Sequence, residues 1–165
     1  MNWYVLYVQA RKTKKLIERL NRKKNIEAFE MNYEYYRRSH RCNEIKPIFK
    51  GYVFIKTKLD QNEFNNVLAK MNEEKDGLIR QLIKHDTSAL RKEEIDMFNK
   101  LLDESYVIRM SQAFIEDKKA IVYQGPLMYF QDNIIKLDKH DRIAFLNLSF
   151  MGRNIKAGLT LTGKK

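Results

Sequence analysis

The chain has little of what cross-links or interrupts a fold. Its 165 residues include one cysteine, two prolines and six glycines. The single cysteine, Cys42, excludes an internal disulfide framework and a cysteine-rich zinc site, and it fits a reduced, cytoplasmic compartment. The low glycine and proline content excludes collagen-like and linker-like chains.

The sequence also lacks a long hydrophobic run. The apolar stretch at residues 3–8 is too short for a signal peptide, and Arg11 and Lys12 follow it closely. A membrane-spanning helix needs about 18 or more apolar residues, and no such stretch occurs. We therefore expect a soluble, cytoplasmic protein.

Positive charge is concentrated in the first third of the chain. The whole sequence has 32 basic and 21 acidic side chains, a formal net charge of +11. Residues 1–60 hold 15 basic and 6 acidic side chains, a net charge of +9. Such a concentration favours a polyanionic partner, with nucleic acid first and an anionic membrane surface second. A solvated basic helix with no partner is the plainer alternative.

The hydrophobic pattern of the first 110 residues predicts an α+β domain of the split βαβ type. Leu16, Ile17 and Leu20 recur at helical spacing among basic residues, which indicates an amphipathic helix with a basic outer face. Ser88 is a candidate N-cap for the last helix. The predicted elements are strand 3–9, helix 12–23, strand 28–31, a loop or hairpin at 32–44, strand 51–57, a helix from Asp60 to Met71, strand 78–83, a helix around 95–102 and a strand or extended segment at 106–110.

Helical periodicity stops near Met110, and short β runs follow. Four or five strands within about 50 residues predict a small all-β barrel. The β runs are 120–123, 133–137, 142–150 and 155–161. We therefore divide the sequence into a domain at 1–110, a linker at 111–117 and a barrel at 118–165.

No residue pattern indicates catalysis. The sequence has no glycine-rich phosphate loop, and His40, His85 and His140 are far apart. His40 and Cys42 alone would leave a metal site two ligands short. We predict no enzyme activity, no catalytic residue, no metal site and no cofactor.

Three blocks of the sequence resemble NusG-type transcription elongation factors. They cover nearly the whole chain, and the C-terminal block is most similar to the specialised LoaP antiterminator paralogues. The blocks are 3–7, 46–55 and the segment from Val122 onward, with Gly125-Pro126-Leu127, 135–140, 142–144 and 150–153.

The resemblance implies a ferredoxin-like NGN domain that binds RNA polymerase, followed by an SH3-like KOW barrel. It implies a processive antiterminator that reads a nucleic-acid signal and promotes readthrough of terminators in a long operon. The signal would be an RNA hairpin or non-template DNA. The barrel would recruit a ribosomal protein or a termination factor, and the factor would be a monomer with no membrane partner.

Four aromatic residues match the family's polymerase-binding positions: Tyr7, Phe49, Tyr52 and Phe54. Strand alternation places Tyr52 and Phe54 on one face, which we expect to be free because helices cover the other face. The alternative is that all four belong to the core.

The nucleic-acid candidates are basic and lie in two segments. Tyr33, Tyr35 and Tyr36 accompany the second segment and are expected either to stack on unpaired bases or to pack the loop onto its own domain. The basic candidates are Arg11, Lys12, Lys14 and Lys15 in the first segment and Arg37, Arg38 and Arg41 in the second.

The sequence alone is also compatible with a second function. KOW barrels also occur in ribosomal proteins, so a ribosome-associated protein with a structural or translation-coupling role is the alternative.

Overall fold

The computed structural model describes residues 1–83 and 90–163, so the predicted N-cap Ser88 lies outside the described part. The chain divides into two compact units, Met1–Glu30 with Phe49–Ile95, and Met31–Ile48 with Asp96–Lys165. No helix in the described residues is both long and apolar enough to cross a membrane.

Three α-helices and twelve strands are found in the described residues. The helices are α1 (Thr13–Asn21), α2 (Gln61–Lys70) and α3 (Lys92–Leu101). The strands are β1 (Asn2–Val8), β2 (Ile26–Phe29), β3 (Asn32–Arg37), β4 (Cys42–Pro47), β5 (Tyr52–Thr57), β6 (Leu78–Gln81), β7 (Val107–Ile108), β8 (Ser111–Glu116), β9 (Lys119–Gln124), β10 (Ile134–Asp138), β11 (Ile143–Phe150) and β12 (Arg153–Leu161).

The first unit is built on a four-stranded sheet in the order β2-β5-β1-β6. All three strand pairs are antiparallel. The chain passes from β1 through α1 to β2 and from β5 through α2 to β6, which is the predicted split βαβ arrangement.

Helix α1 packs on this sheet through one face. Thr13, Leu16 and Leu20 are its buried residues, spaced so that they point to the same side. The Asn21 side chain fixes the end of the helix to β2, because its amide donates to the Ala28 carbonyl at 3.0 Å and its oxygen accepts from the Ala28 amide at 2.7 Å.

Helix α2 begins at a capping box. The Asp60 carboxylate accepts from the Glu63 backbone amide at 2.8 Å, and the Glu63 carboxylate accepts from the Asp60 amide at 3.0 Å. This reciprocal pair satisfies two amide donors that a helix start leaves unpaired. The helix then buries Phe64, whose ring stacks on Tyr4 of β1 at 4.6 Å.

In the second unit, β3 and β4 form the hairpin that the sequence offered as one option for residues 32–44. Tyr33 pairs with Lys46 and Arg37 pairs with Cys42, which places the turn at residues 38–41. The short strand β7 pairs in parallel with the start of β3.

The C-terminal strands form the predicted all-β module, in the order β10-β11-β12-β8-β9. Its pairs are antiparallel except for β12 with β8, which is parallel. The segment 111–117, for which the sequence predicts a linker, is instead mostly strand β8. Asp117 and Lys118 both have positive φ, and this tight turn pairs β8 directly with β9.

Replacing Asp60 by alanine tests the capping box. We expect Asp60→Ala to lower the free energy of unfolding by about 1 kcal/mol, because the first turn of α2 loses its acceptor. Chemical denaturation measures the change. Asn66→Ala, in the middle of the same helix, keeps the cap and should cause no such loss. Equal stability of Asp60→Ala and the wild type would contradict the role of the cap.

Candidate polymerase and nucleic-acid interfaces

One face of the first sheet carries aromatic side chains from β1, β5 and the turn before β5. Tyr7 pairs directly with Tyr52, and residues opposite each other in an antiparallel pair lie on the same face. Phe54 follows Tyr52 by two residues and shares this face. We call Tyr7, Phe49, Tyr52 and Phe54, the predicted polymerase contacts, the aromatic cluster.

The four rings of the aromatic cluster contact one another. The Tyr7 and Tyr52 centroids lie 6.1 Å apart in an edge-on arrangement, and Phe49 stacks on Tyr52 at 5.7 Å. Phe54 lies 6.0 Å from Phe49. Gly51 makes the turn possible, since its φ is +86° and an added Cβ would lie 3.1 Å from the Tyr7 ring.

The aromatic cluster is buried, so the expectation of a free sheet face was wrong. Phe54 is 0% exposed and Tyr52 is 6% exposed, while Tyr7 is half-buried. Phe29 of β2 packs on this face against both Trp3 and Phe54, with ring centroids 5.6 Å and 6.0 Å away.

The first set of basic candidates surrounds the start of α1. Because one face of α1 packs on the sheet, the basic residues between the buried positions face solvent. Arg11, Lys14 and Lys15 are exposed, and Lys12 is half-buried. They are therefore placed to attract phosphate groups. This basic face lies on the side of the sheet opposite the aromatic cluster.

An acidic segment at residues 73–76 offsets part of this basic face. The Lys12 ammonium donates to the Asp76 carboxylate at 2.8 Å, and Lys23 forms a 2.6 Å ion pair with Glu74. The hydrogen bond from Lys12 lowers the pKa of Asp76 below its ordinary value. Among the four α1 candidates, Lys12 thus forms a hydrogen-bonded ion pair with a carboxylate in the described residues, while Arg11 and Lys14 interact with Asp76 and Glu30 at longer range.

The second set of basic candidates lies at the end of the β3–β4 hairpin, in the second unit. Arg37 pairs with Glu44 across the hairpin at 3.2 Å, and Arg38 lies 3.8 Å from Asp141. Arg41 takes a positive φ of 50° in the turn. All three arginines are exposed, so they can donate hydrogen bonds to phosphate groups.

The three hairpin tyrosines are already in contact with cations. Tyr33 is buried, and the Lys46 ammonium lies 4.2 Å from the centroid of Tyr35. The Arg142 guanidinium lies 3.8 Å from the centroid of Tyr36. Tyr35 and Tyr36 remain half-buried. Tyr33 is thus packed within the protein, which is the second of the two predicted roles. The rings of Tyr35 and Tyr36 remain partly accessible.

Sequence reasoning missed the partners of these residues. Asp76 is 64 residues from Lys12, and no local pattern indicates that pair. Arg142 reaches Tyr36 from a part of the chain that the sequence assigned to the barrel. Lys46 could have been found, because a turn centred on residues 38–41 sets it opposite Tyr33 in the hairpin register.

Comparison with known proteins identifies the family. The family model described as transcription termination factor NusG matches residues 1–99, which is more than half of the chain. The chain therefore belongs to the NusG family and is a factor of transcription elongation or termination. No curated protein gives a significant match.

The fold is also similar to a solved structure. The chain matches a structure of NusG from Thermotoga maritima, described as a domain interaction in that protein, with a TM-score of 0.54 and 17% identity. The match covers 96% of this chain and 93% of that chain. At this identity the match supports the fold, an α+β domain followed by a small barrel.

Replacing Asp76 by asparagine tests whether the acidic segment restrains the basic face. We expect Asp76→Asn to strengthen binding of single-stranded RNA, because Lys12 becomes free to contact a phosphate. The slope of log affinity against log salt should steepen by about 0.7, as measured by fluorescence anisotropy over a salt series. Asp132→Asn makes the same change in net charge on the barrel and serves as the control. An identical slope in both variants would contradict a specific role for Asp76.

Proposed function

We propose that this protein is a processive antiterminator of the LoaP type. It binds RNA polymerase through the aromatic cluster and a nucleic-acid signal, an RNA hairpin, through its basic residues. Both contacts belong to the N-terminal region, 1–110, and the barrel at 118–165 serves a further protein partner. The factor promotes readthrough of terminators and catalyses no reaction.

The polymerase half of the proposal is supported by the kind of side chains in the aromatic cluster. Tyrosine and other aromatic residues dominate the binding energy of protein interfaces when they enter a desolvated groove. Tyr7 is half-buried, and Tyr52 touches it edge-on. Because Phe49, Tyr52 and Phe54 are buried, polymerase binding through all four residues requires this face to become exposed.

The nucleic-acid half is supported by the two basic segments. Arg11, Lys14 and Lys15 are exposed at the start of α1, and the hairpin adds three exposed arginines. Double-stranded RNA is recognised mainly by its shape and phosphates, and loops by stacking on unpaired bases. An arginine-rich hairpin with half-buried tyrosines offers both kinds of contact.

The barrel offers a surface for a further partner. Met128 and Tyr129 are 53% and 70% exposed, and Ile135 is 64% exposed. Apolar side chains exposed this far are typical of protein interaction sites when they lie together. A ribosomal protein or a termination factor is the class of partner that we propose for it.

The observation that carries the proposal is the two-sided sheet of the first unit. The basic helix α1 packs against one face, whose core includes Leu6 and Val53, and the aromatic cluster occupies the other face. Two partners of different chemistry can therefore bind the same small domain without sharing a surface.

Truncating the two tyrosines of the aromatic cluster tests the polymerase contact. We expect Tyr7→Ala and Tyr52→Ala each to weaken polymerase binding by about 30-fold or more, the size of an interface hot spot, and to abolish readthrough. RNA affinity should change less than about twofold, since the basic residues are untouched. Polymerase capture and a terminator readthrough assay measure these effects.

Tyr7→Phe and Tyr52→Phe serve as matched controls that keep the rings. They should bind polymerase like the wild type, and circular dichroism confirms that the alanine variants are folded. Folded alanine variants that still capture polymerase would overturn the assignment. Co-sedimentation of the wild type with ribosomes, without capture of polymerase, would favour the ribosome-associated alternative.

A further inference from the structure

A cleft in the second unit lies between the β3–β4 hairpin and the barrel strands. Its volume is about 420 Å³, which is within the usual range for small-ligand sites. Its lining includes Tyr35, Tyr36 and Lys46 from the hairpin and Asp141, Phe145 and Lys156 from the barrel. In the domain division predicted from the sequence, the hairpin residues and the barrel residues belong to separate domains.

The hairpin and the barrel approach closely beside this cleft. A Cβ added at Gly158 of β12 would overlap the carbonyl oxygen of Glu34 in β3, so glycine allows the two backbones to meet. The Arg142 guanidinium also stacks on Tyr36 at 3.8 Å. The cleft is therefore formed by contacts within one compact unit.

The lining of the cleft is positively charged. Arg37, Arg38, Lys46 and Lys156 contribute four cations, and Asp138 and Asp141 contribute two carboxylates. Both lysines are exposed, so a ligand can reach their ammonium groups. The net positive charge favours an anion, and the two carboxylates add acceptors for the amino or imino groups of a base.

Aromatic and guanidinium planes lie beside these cations. Tyr36 and Arg142 already form a stacked pair, and Tyr35 is partly exposed to solvent. Nucleobases stack on tyrosine rings and on arginine planes. A ligand that carries both a flat ring and a phosphate would use both features of the lining.

Tyr33 also lines the cleft, and its hydroxyl is buried. The Lys156 ammonium lies 6.0 Å from the centroid of the Tyr33 ring. Burial raises the pKa of Tyr33, and the interaction with Lys156 opposes that rise. Tyr33 therefore links Lys156 of the barrel to the hairpin side of the cleft.

We infer that the cleft binds one unpaired nucleotide of a single-stranded nucleic acid, with its base on the Tyr36–Arg142 pair and its phosphate at Lys46 and Lys156. This inference rests on the proposed nucleic-acid function and extends it to residues of the barrel. The hairpin and the barrel then read the same strand together.

Matched substitutions at the cleft test the inference on the full chain. We expect Tyr36→Leu to weaken binding of an unstructured 12-nucleotide RNA by about 10-fold, because a base loses its stacking surface, and Tyr36→Phe to bind like the wild type. Lys156→Gln should reduce the salt slope by about 0.7. Lys119→Gln removes the same charge from β9, outside the cleft lining, and should leave affinity within about twofold of the wild type.

Photo-cross-linking of the wild-type protein gives a second measurement that does not depend on the folding of a variant. RNA containing 4-thiouridine should cross-link within residues 33–38, as located by mass spectrometry. A second probe, DNA of the same sequence with 4-thiothymidine, shows whether the cleft binds RNA only or DNA as well. If only the RNA cross-links, the cleft binds a transcript. If the RNA and the DNA both cross-link, the cleft can bind non-template DNA as well.

The failure of the inference is distinguishable from the failure of the proposed function. The triple variant Arg11→Glu, Lys14→Glu, Lys15→Glu removes the α1 contacts and leaves the cleft intact. If it loses RNA binding while Tyr36→Leu and Lys156→Gln match the wild type and cross-links map elsewhere, the cleft assignment is overturned and the function stands. If the wild type binds neither RNA nor DNA, both are overturned.

Discussion

Burial of both faces of the paired strands β1 and β5 is the constraint on which the first unit depends. Tyr4 and Leu6 lie in the core beneath the helices, while Trp3 and Val5 alternate with them and are equally buried on the other face. These two strands therefore tolerate few substitutions, since truncating one large buried side chain lowers the free energy of unfolding by about 2–5 kcal/mol. The same constraint fixes the position of the aromatic cluster. Val53 and Ile55 of β5 point to the helices, so Tyr52 and Phe54, which alternate with them, must point to the other face.

Charge on the opposite side of the sheet is less firmly constrained. Arg11 and Lys15 are exposed, and exposed charges contribute little to folding stability. Fold stability therefore does not account for their presence, and the proposed function assigns them to binding of a polyanion. The acidic segment at residues 73–76 neutralises part of this charge, since Lys12 already forms an ion pair with Asp76.

Much of the fold was predictable because it follows local patterns. The spacing of Leu16 and Leu20 predicted α1, Asp60 predicted the start of α2, and the short β runs predicted the barrel. Strand β8 was missed because its first half, Ser111 to Ala113, carries only weak β propensity, and the partners of this half in β12 are distant in sequence. At the candidate sites, residue types were predictable but their burial and ion pairs were not, because these arise from contacts between remote segments such as that of Lys12 with Asp76.

The central claim is that polymerase binds the aromatic face of the first sheet and that nucleic acid binds basic residues outside that face. The direct measurement is the affinity for labelled RNA of the free protein and of the protein saturated with RNA polymerase, by fluorescence anisotropy. The polymerase used is a variant that does not bind RNA by itself, so that all RNA binding measured belongs to the factor. The account predicts a ternary complex in which RNA affinity is the same as in the free protein, or higher. Displacement of the RNA by polymerase would contradict it, because competition requires a shared surface.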